Sequence, residues 1–232
     1  LFGTIPFYTK ARSAGIKPII GCEVYMAKGS LLDKKPPEGP RDFYHLILLA
    51  QNSLGYQNLI RLVSHGYTEG FYYKPRIDKS LLRSHSSGLI ALSGCLDGEI
   101  PTLLHQEQFA SASVAAQDFL DIFGPDRFYL ELQANGLHQQ QRVNQGLIHV
   151  HRELGIPLVA TNDCHYLKRG DADAHDLLLC IQTGTTITDT TRLRFGTDQL
   201  YVKSSEEMAE AFRELPQAIT HTNLIAEQCT LE

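Results

Sequence analysis

The residues with the most to offer chemically are an aspartate and a histidine two positions apart, Asp163 and His165, in Thr161-Asn162-Asp163-Cys164-His165-Tyr166. The cluster follows Pro157-Leu158-Val159-Ala160-Thr161, which reads as a buried strand. On extended backbone, alternate side chains share a face, so the spacing predicts that Asp163 and His165 project to the same side. A carboxylate and an imidazole converging at a strand's carboxyl end make two metal ligands. The competing reading is a loop histidine packed on a capping aspartate. Three further positions share the placement. Glu23 sits near the end of the apolar run 17–26, where a carboxylate is costly unless paired, coordinated or at an edge. His45 is the ionisable group of Phe43-Tyr44-His45-Leu46-Ile47-Leu48-Leu49, and Cys95 closes the run Leu89–Leu92 before a turn. Alone, His45 reads as a core histidine and Cys95 as a small buried residue. Together, carboxylate, imidazole and thiolate suit zinc, or manganese and iron where oxygen and nitrogen dominate. Several ions held close together suit phosphate-ester hydrolysis. His149 and His151, two apart on a helix, face different directions and cannot chelate together. His175 and Asp176 open a helix and read as capping or surface groups.

Strands and helices alternate around these positions. Helical spacing covers 2–14, closed by Gly15, then 53–67, 107–123, 138–154 and 171–182. Short apolar runs at 17–26, 43–50, 89–92, 127–132 and 157–161 read as strands, with alternating polarity in 127–132. Residues 27–42, rich in Pro and Gly, read as an exposed loop. The pattern predicts an α/β fold with a parallel sheet covered by helices, open or closed into a barrel, whose strand ends gather the candidate ligands on one rim. After Gly184 the composition shifts. Residues 185–198 read as a loop, Ser204 with Glu207 as a capping box, and 216–229 as a last helix.

Hydrophobic residues at 43% and charged residues at 20% are ordinary for a folded domain. A formal net charge of -5 makes this segment a poor candidate for a main DNA-gripping surface, since that work falls to Lys and Arg. It leaves room for a small site that accepts one nucleotide end. No stretch approaches the roughly 20 apolar residues of a membrane span. Five cysteines without a CxxC pair argue against a disulfide framework or zinc ribbon and fit a reducing cytoplasm. The chain begins at Leu1 without a basic and apolar leader, and both ends read as cut.

An ordered series of longer motifs resembles the alpha subunits of bacterial DNA polymerase III, the C-family replicative polymerases. The series begins with Gly15-Ile16-Lys17-Pro18-Ile19-Ile20-Gly21-Cys22-Glu23-Val24-Tyr25. His45 to Asn52 and Gly55-Tyr56-Gln57-Asn58-Leu59 follow, then Glu69 to Asp78 and Ala91-Leu92-Ser93-Gly94-Cys95-Leu96. Ala160 to Tyr166 with Asp171-Ala172 and His175-Asp176 comes next, and Tyr201-Val202-Lys203 through Cys229 resembles an exit toward the polymerase palm. The likeness spans essentially the whole chain.

The resemblance implies a PHP domain, a distorted (β/α)7 barrel holding several metal ions. It would occupy residues 1–184, truncated at its N-terminus, with 185–232 as a loop and helical connector toward the palm. Carried over, the metal ligands are Glu23, His45, Cys95, Asp163 and His165, with zinc or manganese as the ion. The family's first His-x-His motif and its following Asp and His ligands should lie before Leu1. The isolated segment is therefore expected to bind metal poorly, with unpaired sheet edges. The parent would be a cytoplasmic DNA-directed DNA polymerase acting on DNA and deoxynucleoside triphosphates. Its magnesium-dependent site lies beyond Glu232, and its partners are a proofreading exonuclease subunit and the sliding clamp, with no membrane. The segment's own expected activity is metal-dependent 3′–5′ exonucleolytic cleavage. Two alternatives stay open: a structural scaffold that docks a separate proofreading exonuclease, and a free-standing PHP phosphatase acting on a small phosphate ester.

Overall fold

A computed structural model describes residues 1–34 and 43–232, so half of the loop expected over 27–42 lies outside the described residues. In chain order the elements are α1 (Thr4–Ser13), β1 (Gly21–Ala27), β2 (Phe43–Ala50), α2 (Ser53–Thr68), β3 (Phe71–Tyr72), β4 (Lys74–Ile77), α3 (Lys79–Ser84) and β5 (Leu89–Leu92). They continue with α4 (Glu99–His105), α5 (Phe109–Phe123), β6 (Phe128–Gln133), α6 (His138–Leu154), β7 (Leu158–Thr161), α7 (Ala172–Thr183), α8 (Ser205–Ala211) and α9 (Pro216–Gln228). The strands form one seven-stranded sheet in the order β3-β4-β1-β2-β5-β6-β7. The expected α/β barrel-like architecture is present, with the sheet left open between β3 and β7.

The sheet is not wholly parallel. β1 with β4, β5 with β6, and β6 with β7 pair in parallel, but β2 runs antiparallel to both β1 and β5. The cause is local. Parallel neighbours need a crossover, usually a helix. The chain between Ala27 and Phe43 is rich in Pro and Gly, which disfavours the helix such a crossover would use, and β2 returns beside β1 in the opposite sense.

Period-two alternation sends the side chains of each strand to two faces. On one face, Val24, Met26, Leu46, Leu48, Ala50, Leu89, Ala91, Phe128, Leu130, Leu158 and Ala160 join the main core with Leu59 and Leu62 of α2, Phe119 and Phe123 of α5, and Leu147 of α6. A fully buried Leu or Phe contributes roughly 1.5–3 kcal/mol. On the other face, Ile90, Leu92, Tyr129 and Val159 meet Ile225 and Cys229 at the C-terminal end of the chain, with Ile47 and Leu49 packed alongside. With both faces covered, β6 is buried at every position, although its sequence alternates in polarity.

Helix ends follow the expected chemistry. Gly15, Gly155 and Gly184 adopt positive φ just past α1, α6 and α7. Ser204 and Glu207 form a reciprocal capping box, with Ser204 Oγ accepting from Glu207 N and Glu207 Oε2 accepting from Ser204 N. Short elements escaped the sequence reading: β3, β4, α3 and α4 have too few residues for a periodic signal. One holds a buried charge. Arg76 in β4 is 2% exposed and donates to the carbonyls of Gly70, Leu31 and Asp33 at 3.3, 3.3 and 2.7 Å. Asp78 beside it accepts from Leu31 N at 2.9 Å and caps α3 through Leu81 N at 2.8 Å.

Candidate metal centre

Strand direction decides which residues meet. Glu23 on β1 and His45 on β2 point to the same face, and Tyr25 rather than Glu23 lies directly opposite His45 in the register. His45 is the third residue of β2, near that strand's start. A parallel β2 would have carried it to the opposite rim. Because β2 is reversed, its beginning lies beside the ends of β1 and β5. The expectation that parallel strands gather the set is thereby corrected: the reversed strand delivers His45.

His45 Nδ1 lies 2.9 Å from Glu23 Oε1 and 3.6 Å from Cys95 Sγ. Its ring is framed by Phe43, stacked at 5.9 Å between centroids, and by Tyr25 at 5.4 Å. Its backbone N–H donates to the carbonyl of Asp97 at 2.9 Å, stitching the turn after β5 to β2. Gly94 makes that turn possible: its φ is +82°, and a Cβ there would lie 3.0 Å from the His45 carbonyl oxygen. His45, Cys95 and Asp97 present ligand-type atoms all within 4.8 Å of one another, an arrangement that can hold a metal ion. Asp97 was not singled out from the sequence. The only cue was its place two residues after Cys95 in the same turn.

Asp163 and His165 also meet, but by a different route from the one expected. β7 ends at Thr161, and Asp163 has φ +51°, in the left-handed region. Strand alternation therefore does not reach them. The turn at Asp163 brings its Oδ1 within 4.0 Å of His165 Nδ1, and the residue type tolerates that backbone better than most. His165 Nδ1 lies 2.6 Å from the Asp163 carbonyl oxygen. A carbonyl can only accept, so Nδ1 carries the proton and Nε2 keeps the lone pair a cation would use.

All five residues read from the sequence, Glu23, His45, Cys95, Asp163 and His165, line a single cavity of about 500 Å³ with Asp97, Arg194 and Phe195. Electrostatics link the two groups. The hydrogen bond to His45 holds Glu23 below the usual carboxylate range against the opposing effect of burial. Burial raises the Asp163 carboxyl, the charge on Glu23 adds to the rise, and His165 and His45 oppose it. Burial, then the charges of Asp163, Glu23 and Glu131, push the Cys95 thiol far above its ordinary value. Asp163 and Cys95, whose anionic forms are disfavoured here, fit a divalent cation, which inverts that penalty and deprotonates a coordinating thiol.

Beneath the cavity lies a carboxylate that the expected polarity pattern concealed. Glu131 on β6 is 5% exposed. Its Oε2 accepts from Gly94 N at 3.1 Å, and its Oε1 accepts from Thr161 Oγ1 at 2.5 Å and Gln133 Nε2 at 3.2 Å. Its own N–H donates to Ser93 Oγ at 2.9 Å. Glu131 thus ties the turn bearing Cys95 to the strand end bearing Asp163. Burial raises its carboxyl, partly offset by these hydrogen bonds.

His175 and Asp176 are more than surface groups. The His175 ring lies 5.4 Å from that of His165, and Asp176 accepts both arms of the Arg192 guanidinium at 2.5 and 2.6 Å. His149 is exposed and His151 Nδ1 donates to the Ile156 carbonyl at 2.7 Å, which is consistent with their exclusion as a chelating pair. Among the described residues, no helix is long and apolar enough to cross a membrane.

A family model of the PHP domain matches residues 1–135. The DNA polymerase III subunit alpha of Borreliella burgdorferi is 51% identical over 229 residues, 99% of this chain and 20% of that protein. The subunit of the same name from Thermus aquaticus is 51% identical over 209 residues, 90% of this chain and 17% of that protein. That of Treponema pallidum is 45% identical over 231 residues, 100% of this chain and 20% of that protein. The chain therefore spans about a fifth of the length of these relatives.

Proposed function

The chain belongs to the PHP-domain family, and from that premise we propose that it is the PHP portion of a replicative DNA polymerase alpha subunit, with a divalent-metal centre that cleaves phosphodiesters at a DNA 3′ end. The observation that carries this reading is the convergence of Glu23, His45, Cys95, Asp163 and His165 on one cavity. The mixed O, N and S donors favour zinc, or manganese if oxygen and nitrogen atoms dominate the bound set. When bound, divalent ions polarise a phosphate ester and lower the pKa of water near it. The chain's own residues do the rest. Glu23 fixes the ring of His45 through Nδ1, the Asp163 carbonyl fixes the tautomer of His165, and Asp97 stands by as a further carboxylate beside Cys95. Residues 1–184 would be the PHP domain, and 185–232 would lead toward the palm. Nucleotide addition, with its magnesium, DNA and deoxynucleoside triphosphates, would reside in the remaining four-fifths of a protein built like the relatives, in the company of a sliding clamp.

The test is the full-length protein carrying Asp163→Ala and His165→Ala, assayed for metal content by mass spectrometry and for release of a 3′ label from single-stranded DNA. Both should fall sharply. Unchanged metal content and cleavage rate would remove the ligand assignment.

A second reading is favoured by one surface. Leu177, Leu178 and Ile181 are 52%, 62% and 78% exposed on neighbouring positions of α7. That apolar strip suits a docking role, with a separate proofreading exonuclease subunit as the partner. A full-length protein with no bound metal and no nuclease activity would favour it.

A further inference from the structure

Two arginines two residues apart are treated very differently. Arg192 has a side chain only 1% exposed, and its fork occupies both oxygens of Asp176. It also reaches the carbonyls of Ile187 and Leu193, at 3.4 Å each, so it locks the segment after α7 onto that helix. The segment is held again further on. Thr197 Oγ1 donates to the Asn135 carbonyl at 2.7 Å, and Arg169 Nε donates to Asp198 Oδ2 at 2.7 Å. Between these anchors, the Phe195 ring packs on His165 and His175 with centroids at 4.7 and 5.5 Å.

Arg194 sits inside this clamped stretch and lines the cavity. Its side chain is 65% exposed, and its ion pair is Nε to Asp176 Oδ1 at 4.0 Å, beyond hydrogen-bond length. That oxygen already accepts from Arg192 Nη1 at 2.6 Å. The backbone is fixed while the fork of donors stays on offer. The cavity wall carries the carboxylates of Glu23, Asp97 and Asp163, and Arg194 is the sole Arg or Lys among its described lining residues. A planar guanidinium matches two oxygens of a phosphate group in a way an ammonium does not.

We propose that Arg194 is the phosphate clamp of this cavity: its fork holds two non-bridging oxygens of the substrate's phosphate group. This rests on the reading of the cavity as a phosphodiester-cleaving centre and names the residue that orients the ester there. The experiment uses the full-length protein loaded with manganese and titrated with inorganic phosphate by calorimetry, for wild type, Arg194→Ala and Arg194→Lys. Metal content and melting temperature are read on each. The alanine variant should keep its metal and melting temperature and bind phosphate roughly 10- to 100-fold more weakly. The lysine variant should recover part of that loss. Equal phosphate affinity in wild type and alanine variant, or no phosphate binding by wild type, overturns the proposal and leaves the metal assignment standing. A wild type that takes up no manganese overturns the metal reading instead, and the same titration without metal still decides whether Arg194 binds phosphate.

Discussion

Arg76 and the cavity lined by Glu23, His45, Cys95, Asp163 and His165 both bury charge, and they do so in opposite ways. Arg76 is enclosed by acceptors: three backbone carbonyls receive its donors, and the carboxylate of Asp78 lies two residues away on the same segment. Nothing further is needed, and its role is to hold residues 31–33 against β4. The rim gathers carboxylates and a thiol whose anionic forms burial penalises. A buried charge with its partners in place is architecture. A cavity whose Asp163 and Cys95 are disfavoured as anions suits the proposed occupant, a positive ion. The difference shows that burial alone does not mark function; the balance of partners does.

Four measurements would break or sharpen that contrast. The largest effect is expected from Arg76→Ala, which strands the buried carbonyls of Gly70 and Leu31 and removes the tie to that of Asp33. The loss should be about 3 kcal/mol, or a fall of roughly 6–12 °C in melting temperature for a domain of this size, unaffected by added metal. A small shift would mean the clasp is not structural.

Asp163→Asn should behave in reverse. Without metal, melting should stay level or rise, because one of the crowded anions is gone. Affinity for manganese or zinc should drop roughly 100-fold, about 2.7 kcal/mol. A loss of apo stability matching that of Arg76→Ala would erase the distinction.

Glu131→Gln lies between the two. Losing one acceptor from its network should cost about 1–3 kcal/mol, and metal affinity should weaken by roughly 10-fold because Gly94 and Thr161 lose their common tie. The pH dependence gives an independent check. A raised carboxyl pKa means the folded chain binds the proton more tightly than the unfolded chain does. The associated stability is fully present below the ordinary value of about 4.3 and is lost as pH rises through the raised folded value. Denaturant titrations across pH should show that slope in wild type and a flatter profile in the glutamine variant.

Asp176→Asn should do least to overall melting. The Arg192 fork holds Asp176 below the usual carboxylate range. Its contribution is therefore present above that range and lost as pH falls through the lowered folded value. Limited proteolysis between residues 185 and 198 should speed up in the variant, and cleavage at the wild-type rate would show that the fork is not what secures the segment.

Much of this was readable from the sequence, and the misses have physical causes. The bounds of β2 and β5 coincide with the apolar runs 43–50 and 89–92 because β5 is buried throughout and β2 is at least half-buried at every position, which leaves a hydrophobic signal broken only at His45. The five cavity residues were legible because each interrupts or ends such a run. Glu131 was hidden by the same logic in reverse: a carboxylate in a strand looks like a solvent-facing position until helices are known to cover both sides. Asp97 looked like an ordinary turn aspartate. The reversal of β2 goes with a connection rich in Pro and Gly, and local periodicity carries no record of strand sense.

The left-handed backbone at Asp163 has a consequence for how this site can change over time. Few residue types hold such a corner without strain, chiefly glycine, asparagine and aspartate. Of these, only aspartate brings a carboxylate. Sequence drift at this position is therefore confined to a short alphabet, and a step from aspartate to asparagine or glycine would remove the proposed ligand while leaving the turn intact.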